Sequence, residues 1–194
     1  EPWLPGHEGS TERIAEDAVK LRAYTDKWEN VLVTGPMVEE LVPHVDIWCP
    51  VTPMYGDSFW PEDMRAGPEV YEAHRGDGGE LWFYACNANF PPQMGYDVDS
   101  PLGWEPRLLK WGAWMEGATG FLYWRLTYWQ QEDPWHVLAN LENFGEYFAR
   151  NGDGILIYPG DHDGTNLGVG SPEGVAIDGP ILSYRLKQVR DGME

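Results

Sequence analysis

Short apolar runs closed by glycine or proline alternate with amphipathic stretches of helical period along almost the whole chain. This alternation constrains the fold more than any other feature. Val31-Leu32-Val33-Thr34-Gly35, Val45 to Pro50, Glu80 to Asn87 (ELWFYACN) and Thr119 to Leu126 (TGFLYWRL) read as strands, with Gly154 to Tyr158 as a fifth. Ile14, Ala15, Ala18 and Leu21 recur at helical spacing, which predicts an amphipathic helix over 11–27 capped by Ser10-Thr11. Further helices are expected over 36–42, from Glu69 to His74, from Pro106 to Met115, over 137–149, and from Pro180 to about Arg190. Alternation of this kind builds βαβ units around a parallel sheet. Near-continuous apolar strands are what a sheet covered on both faces requires.

The connections narrow the architecture. Segments that follow strands (51–67, 88–104 and 127–136) are long and rich in aromatic residues, Pro or Gly, whereas most segments that follow helices are short. That asymmetry marks a (β/α) barrel of the TIM type, whose working face is made by loops at the strand C-termini. A doubly wound dinucleotide fold needs a glycine fingerprint after its first strand; Gly76-Asp77-Gly78-Gly79 precedes a strand instead. A complete barrel takes typically ~250 residues, and the 194 residues here hold four or five strands. The expected fold is therefore α/β, the C-terminal half of a barrel, as an open arc of about four to five βα units. Residues 1–194 form one partial domain, and the other half of the barrel is expected upstream of Glu1-Pro2-Trp3.

Charge removes several classes of partner. Thirteen Lys+Arg against 32 Asp+Glu leave a net charge of −19, which opposes binding to nucleic acid or to anionic membrane surfaces. No apolar run approaches the ~18 residues of a membrane helix, so no membrane insertion is expected. No cofactor motif occurs. Cys49 and Cys86 fit no metal spacing and read as two buried thiols outside any disulfide. Asp161-His162-Asp163 reads as a polar loop instead of a metal site, because consecutive loop residues do not converge on one ion. No metal is expected. The eleven Trp are the compositional outlier. An indole offers a flat apolar face and one N–H donor, which suits the C–H face of a sugar as well as it suits a core.

An ordered set of segments then carries a resemblance. Glu1-Pro2, Asp46-Ile47-Trp48-Cys49-Pro50, Trp82-Phe83-Tyr84-Ala85-Cys86-Asn87, Gly120-Phe121-Leu122-Tyr123-Trp124, Gly152 to Gly160 (GDGILIYPG) and the tail from Pro180 to Glu194 together resemble the catalytic barrel of glycoside hydrolase family 123 and its relatives. The resemblance implies a glycan substrate and retaining, substrate-assisted hydrolysis of 2-acetamido sugars, typically β-linked N-acetylgalactosamine. It implies that Glu1 is the acid/base. The Asp that orients the oxazolinium would precede Glu1, outside this chain, so the isolated fragment is expected to be inactive. A carbohydrate-binding or pseudoenzyme barrel that keeps the aromatic platform without chemistry is the alternative.

The remaining candidates come from position. Trp48 and Trp124 lie near strand C-termini, where each serves either barrel packing or a sugar face. Asn87 ends the third strand, where an amide either holds a hydroxyl or acetamido group or makes a turn. Tyr84 lies on that strand, and Tyr55 and Trp129 lie in the face loops. With Glu1 catalytic, the expected substrate-binding set is Trp48, Tyr55, Tyr84, Asn87, Trp124 and Trp129. Arg107 is expected to pair with Asp99 or Glu105 in a structural role.

Overall fold

A computed structural model describes residues 9–24, 30–52, 66–87, 89, 94–99, 102–129, 150–160 and 179–194. The elements in order are α1 (Ser10–Tyr24), β1 (Leu32–Thr34), a 3₁₀ helix (Glu39–His44), β2 (Ile47–Cys49), α2 (Pro68–Gly76), β3 (Glu80–Ala85), α3 (Glu105–Met115), β4 (Gly120–Tyr123), β5 (Ile157–Tyr158), β6 (Ile181–Leu182) and, labelled here α4, the helix Tyr184–Met193. The helix expected over 137–149 lies outside the described residues, as does most of the 51–67 loop. The chain divides into two compact units, one of Glu1–Tyr84 with Ala113–Leu122, the other of Ala85–Gly112 with Tyr123–Glu194.

The parallel, four-stranded sheet has the order β1-β2-β3-β4. Leu32, Val33 and Thr34 pair with Ile47, Trp48 and Cys49, and Ile47 and Trp48 pair in turn with Glu80 and Leu81. β2 is buried at every position, as its unbroken apolar run requires. β3 departs from the expectation of burial on both faces: Leu81, Phe83 and Ala85 are buried while Glu80, Trp82 and Tyr84 are half-buried, so its aromatic content concealed an alternation.

In the first unit, Val33, Leu41, Val45, Trp48, Tyr71, Leu81, Phe83 and Ala113 form one apolar cluster, against which Ile14 and Ala15 of α1 pack. Burying a large apolar side chain stabilises by roughly 1.5–3 kcal/mol, so this cluster dominates the unit. Leu21, expected on the same helical face, is exposed. α1 is tied down instead by Arg22, whose guanidinium lies 2.6 Å from Asp46 Oδ2, the oxygen that also accepts the Val31 N–H at 2.7 Å. α2 starts with Pro68 and ends at Gly76, with Asp77 as its C-cap and Gly78 following at φ +95. Gly120 is required by close approach, because a Cβ there would stand 2.3 Å from the Trp82 indole. Burial pushes the Cys49 thiol up to about 12, which makes it inert. Neither cysteine is in a disulfide, and Cys86 is half-buried.

In the second unit the fifth strand corrects an expectation. β5 pairs antiparallel with β6, Ile157 opposite Leu182 and Tyr158 opposite Ile181, and does not join the parallel sheet. The residues just before it, expected to begin the strand at Gly154, are held in a turn by Gly152 and Gly154, at φ +78 and +72. The last helix begins later than Pro180 suggested, because the Ser183 hydroxyl accepts the Leu186 N–H at 3.1 Å and caps it. Arg107 pairs with Asp191 at 2.8 Å, not with Asp99 or Glu105. α3 and α4 touch so closely that a Cβ on Gly192 would lie 2.9 Å from the Arg107 carbonyl oxygen, which brings Asp191 alongside. Glu105 accepts the Gly95 N–H, and Asp99 accepts from Asn151.

Candidate functional site

The second unit holds the densest set of buried polar groups described, gathered around the turn Gly152-Asp153-Gly154. Asp153 is 2% exposed. Its Oδ1 accepts the Tyr123 hydroxyl at 2.9 Å and the Trp124 Nε1–H at 3.2 Å. Tyr123 ends β4 and Trp124 follows it. Successive residues of a strand point to opposite sides, so two consecutive side chains reach one oxygen only because β4 stops there. The Tyr123 hydroxyl also accepts the Gly154 N–H at 2.6 Å. Desolvation first, then the charge of Asp153, raises the Tyr123 phenol well above its usual range.

Arg185, in the first turn of α4 and itself buried, holds this turn from the other side. Its guanidinium donates to the carbonyls of Tyr96, Gly152 (2.7 Å) and Ile155 (2.5 Å) and to the Tyr158 hydroxyl (3.1 Å). Tyr96 stacks on Tyr123 with ring centres 4.2 Å apart and accepts from the buried Lys110 Nζ at 2.6 Å. Burial alone brings that ammonium down to about 7.

Asp97, half-buried beside this cluster, titrates far above the ordinary carboxylate range. Burial, then Asp153, lifts it to about 7, against the opposing pull of Arg150 (3.6 Å away) and Arg185. The folded chain therefore holds a proton on Asp97 between about pH 4 and 7, where the unfolded chain has lost it. Stability falls as pH rises through that window and levels off above about 7. Asp97→Asn, neutral throughout, is expected to flatten this slope. Calorimetry should show an unchanged Tm at pH 4 and a Tm higher by several degrees at pH 8; for a chain of this size about 1 kcal/mol corresponds to roughly 2–4 °C.

Of the expected site residues, Trp124 joins the cluster. Its ring meets Tyr128 edge-on at 4.9 Å, and the residue stays 36% exposed. Trp129, 40% exposed, donates its indole N–H to the Ile157 carbonyl at 2.9 Å. Both indoles use their one donor inside the protein, so what they present outward is apolar ring. Trp48 is wholly enclosed in the apolar cluster of the first unit, and its Nε1 has no hydrogen-bond partner among the described residues. Tyr84 is half-buried on β3, and Asn87 is half-buried in the turn after it. Glu1, Tyr55 and Asp161-His162-Asp163 lie outside the described residues. Sequence reading missed Asp153 and Arg185.

The sheet and the helices between its strands define an α/β protein of successive strand–helix units. Residues 51–169 match the model described as "Glycoside hydrolase 123, catalytic domain", which is more than half of the chain. The chain belongs to that family. No curated protein matches it. Among solved structures it is similar to one titled "The details of glycolipid glycan hydrolysis by the structural analysis of a family 123 glycoside hydrolase from Clostridium perfringens", at 17% identity and a TM-score of 0.53. The alignment covers 87% of this chain and 26% of that one, so the chain spans about a quarter of that protein's length.

Proposed function

We propose that residues 1–194 are the C-terminal half of a (β/α) barrel in a retaining glycoside hydrolase that cleaves β-linked 2-acetamido sugars, N-acetylgalactosaminides foremost. Membership in family 123, matched over residues 51–169, is the observation that carries this reading. The strand order β1-β2-β3-β4 supports the barrel, since a singly wound sheet adds each new strand on the same side while a doubly wound one reverses.

In this mechanism Glu1 protonates the glycosidic oxygen as the 2-acetamido carbonyl oxygen of the substrate attacks the anomeric carbon from the opposite face. The bond to the leaving oxygen breaks, and an oxazolinium forms, oriented by an Asp preceding Glu1. The Glu1 carboxylate then takes a proton from water, which opens the oxazolinium with net retention. Glu1 must hold its proton near neutral pH, which calls for apolar walls such as Pro2 and Trp3 can supply. Trp124 and Trp129 offer apolar ring to the sugar, Asn87 an amide to a hydroxyl or acetamido group, and Tyr55 and Tyr84 further aromatic contact. Trp48 stiffens the end of β2 from within. No cofactor takes part in these steps. The test is hydrolysis of a paired set of aryl β-galactosides, one with a 2-acetamido group and one with a 2-hydroxyl, by the protein that carries the whole barrel. The first should be cleaved and the second inert.

A further inference from the structure

We propose that Asp153 is a positioning residue that fixes the Trp124 indole as a preformed stacking face for a glycan. The proposal rests on the reading of Trp124 as a sugar-facing ring. A carboxylate at 2% exposure is retained only where donors compensate its lost hydration. Two of those donors are the Tyr123 hydroxyl and the Trp124 Nε1–H, at 2.9 and 3.2 Å. The turn that delivers the carboxylate is built for that placement. Gly152 and Gly154 flank it at φ +78 and +72, which side chains rarely adopt. Arg185 holds the Gly152 and Ile155 carbonyls on either side of it. The indole lies directly on the Gly154 backbone, since a Cβ there would stand 2.5 Å from Trp124 Cζ2 and 3.0 Å from Tyr128 Cβ.

Trp124 is thus pinned at its N–H by Asp153, at its six-membered ring by Gly154 and edge-on by Tyr128, while 36% of it stays exposed. Arg125, its guanidinium carbon 5.9 Å from the ring centre, is the cation nearest that ring among the contacts described. An indole held this way has lost its rotamer freedom on folding, so a ligand that stacks on it does not lose that freedom again on binding. With its donor consumed, the ring selects by shape, which fits the C–H face of a pyranose.

The experiment uses the whole chain and 4-nitrophenyl N-acetyl-β-galactosaminide as probe. Binding is measured by calorimetry, and the Trp124 indole N–H by ¹⁵N NMR, assigned through its disappearance in Trp124→Phe. In Asp153→Ala the probe should bind about tenfold more weakly, and the Trp124 signal should shift and exchange faster with water. Asp153→Asn keeps the shape and one acceptor oxygen, so it should fold where the Ala variant does not and fall between it and wild type. In a Trp124→Phe background, either Asp153 change should add less than about twofold, because it acts through the indole. Probe binding that falls equally with and without the Trp124 N–H overturns the proposal, and so does an indole signal that Asp153→Asn leaves in place. If Trp124→Ala leaves probe binding unchanged, the sugar-facing reading itself fails and the role of Asp153 falls with it.

Discussion

Arg185→Met is expected to destabilise the second unit by about 3–5 kcal/mol, the usual cost of breaking a buried charged network. Met matches the length of the stem, so packing is largely kept and the loss isolates the guanidinium. The carbonyls of Tyr96, Gly152 and Ile155 would each lose a donor, in a place where Arg185 is only 6% exposed. A buried acceptor left alone costs roughly 1–3 kcal/mol. The buried positive charge opposite Asp97 would also go, and with it one of the two groups that restrain its raised titration. Domains of this kind are stable by about 5–15 kcal/mol in total, so the urea midpoint should fall by roughly a fifth or more at unchanged m. Arg185→Lys should recover little, because an ammonium cannot fork toward two carbonyls. A loss below about 1 kcal/mol would show that water replaces the guanidinium.

Glu1→Gln is expected to have the larger effect on chemistry. In the proposed mechanism Glu1 supplies the proton that lets a sugar hydroxyl leave, and such assistance is worth typically ~10²–10⁴-fold. Hydrolysis of a disaccharide with β-linked N-acetylgalactosamine should drop by that factor in the protein that carries the whole proposed barrel. An aryl glycoside, whose phenolate leaves with little help, should lose far less. Equal wild-type rates on both substrates would remove Glu1 from the acid role.

The strands were legible where punctuation and composition agreed. Val31 to Gly35 and Val45 to Pro50 are apolar runs with a Gly or Pro stop, and β1 and β2 lie within them. Residues 180–183 misled because Pro180 is a helix-start signal, while the physical cap is the Ser183 hydroxyl and Ile181-Leu182 gain ladder bonds with β5. Two-residue strands carry no period to detect. Trp48 was ambiguous for a related reason: β2 is buried on both faces, so no alternation marked which way the indole points. The polar cluster was illegible because Asp153 and Arg185 are brought together only by the fold. Two signals pointed to it. Asp153 stands between two glycines in Asn151-Gly152-Asp153-Gly154, and Arg185 places a cation in the first turn of a helix, where the dipole disfavours it.

In the proposed mechanism the substrate supplies its own nucleophile. The most direct measurement is the ratio of kcat/KM for 4-nitrophenyl N-acetyl-β-galactosaminide to that for 4-nitrophenyl β-galactoside, with the protein carrying the whole barrel. Both share leaving group and ring and differ only at carbon 2, so the ratio isolates the acetamido oxygen. Turnover of the first and no measurable turnover of the second are expected. Comparable cleavage of the 2-hydroxy sugar would contradict the mechanism, as would no cleavage of the 2-acetamido sugar by the folded protein.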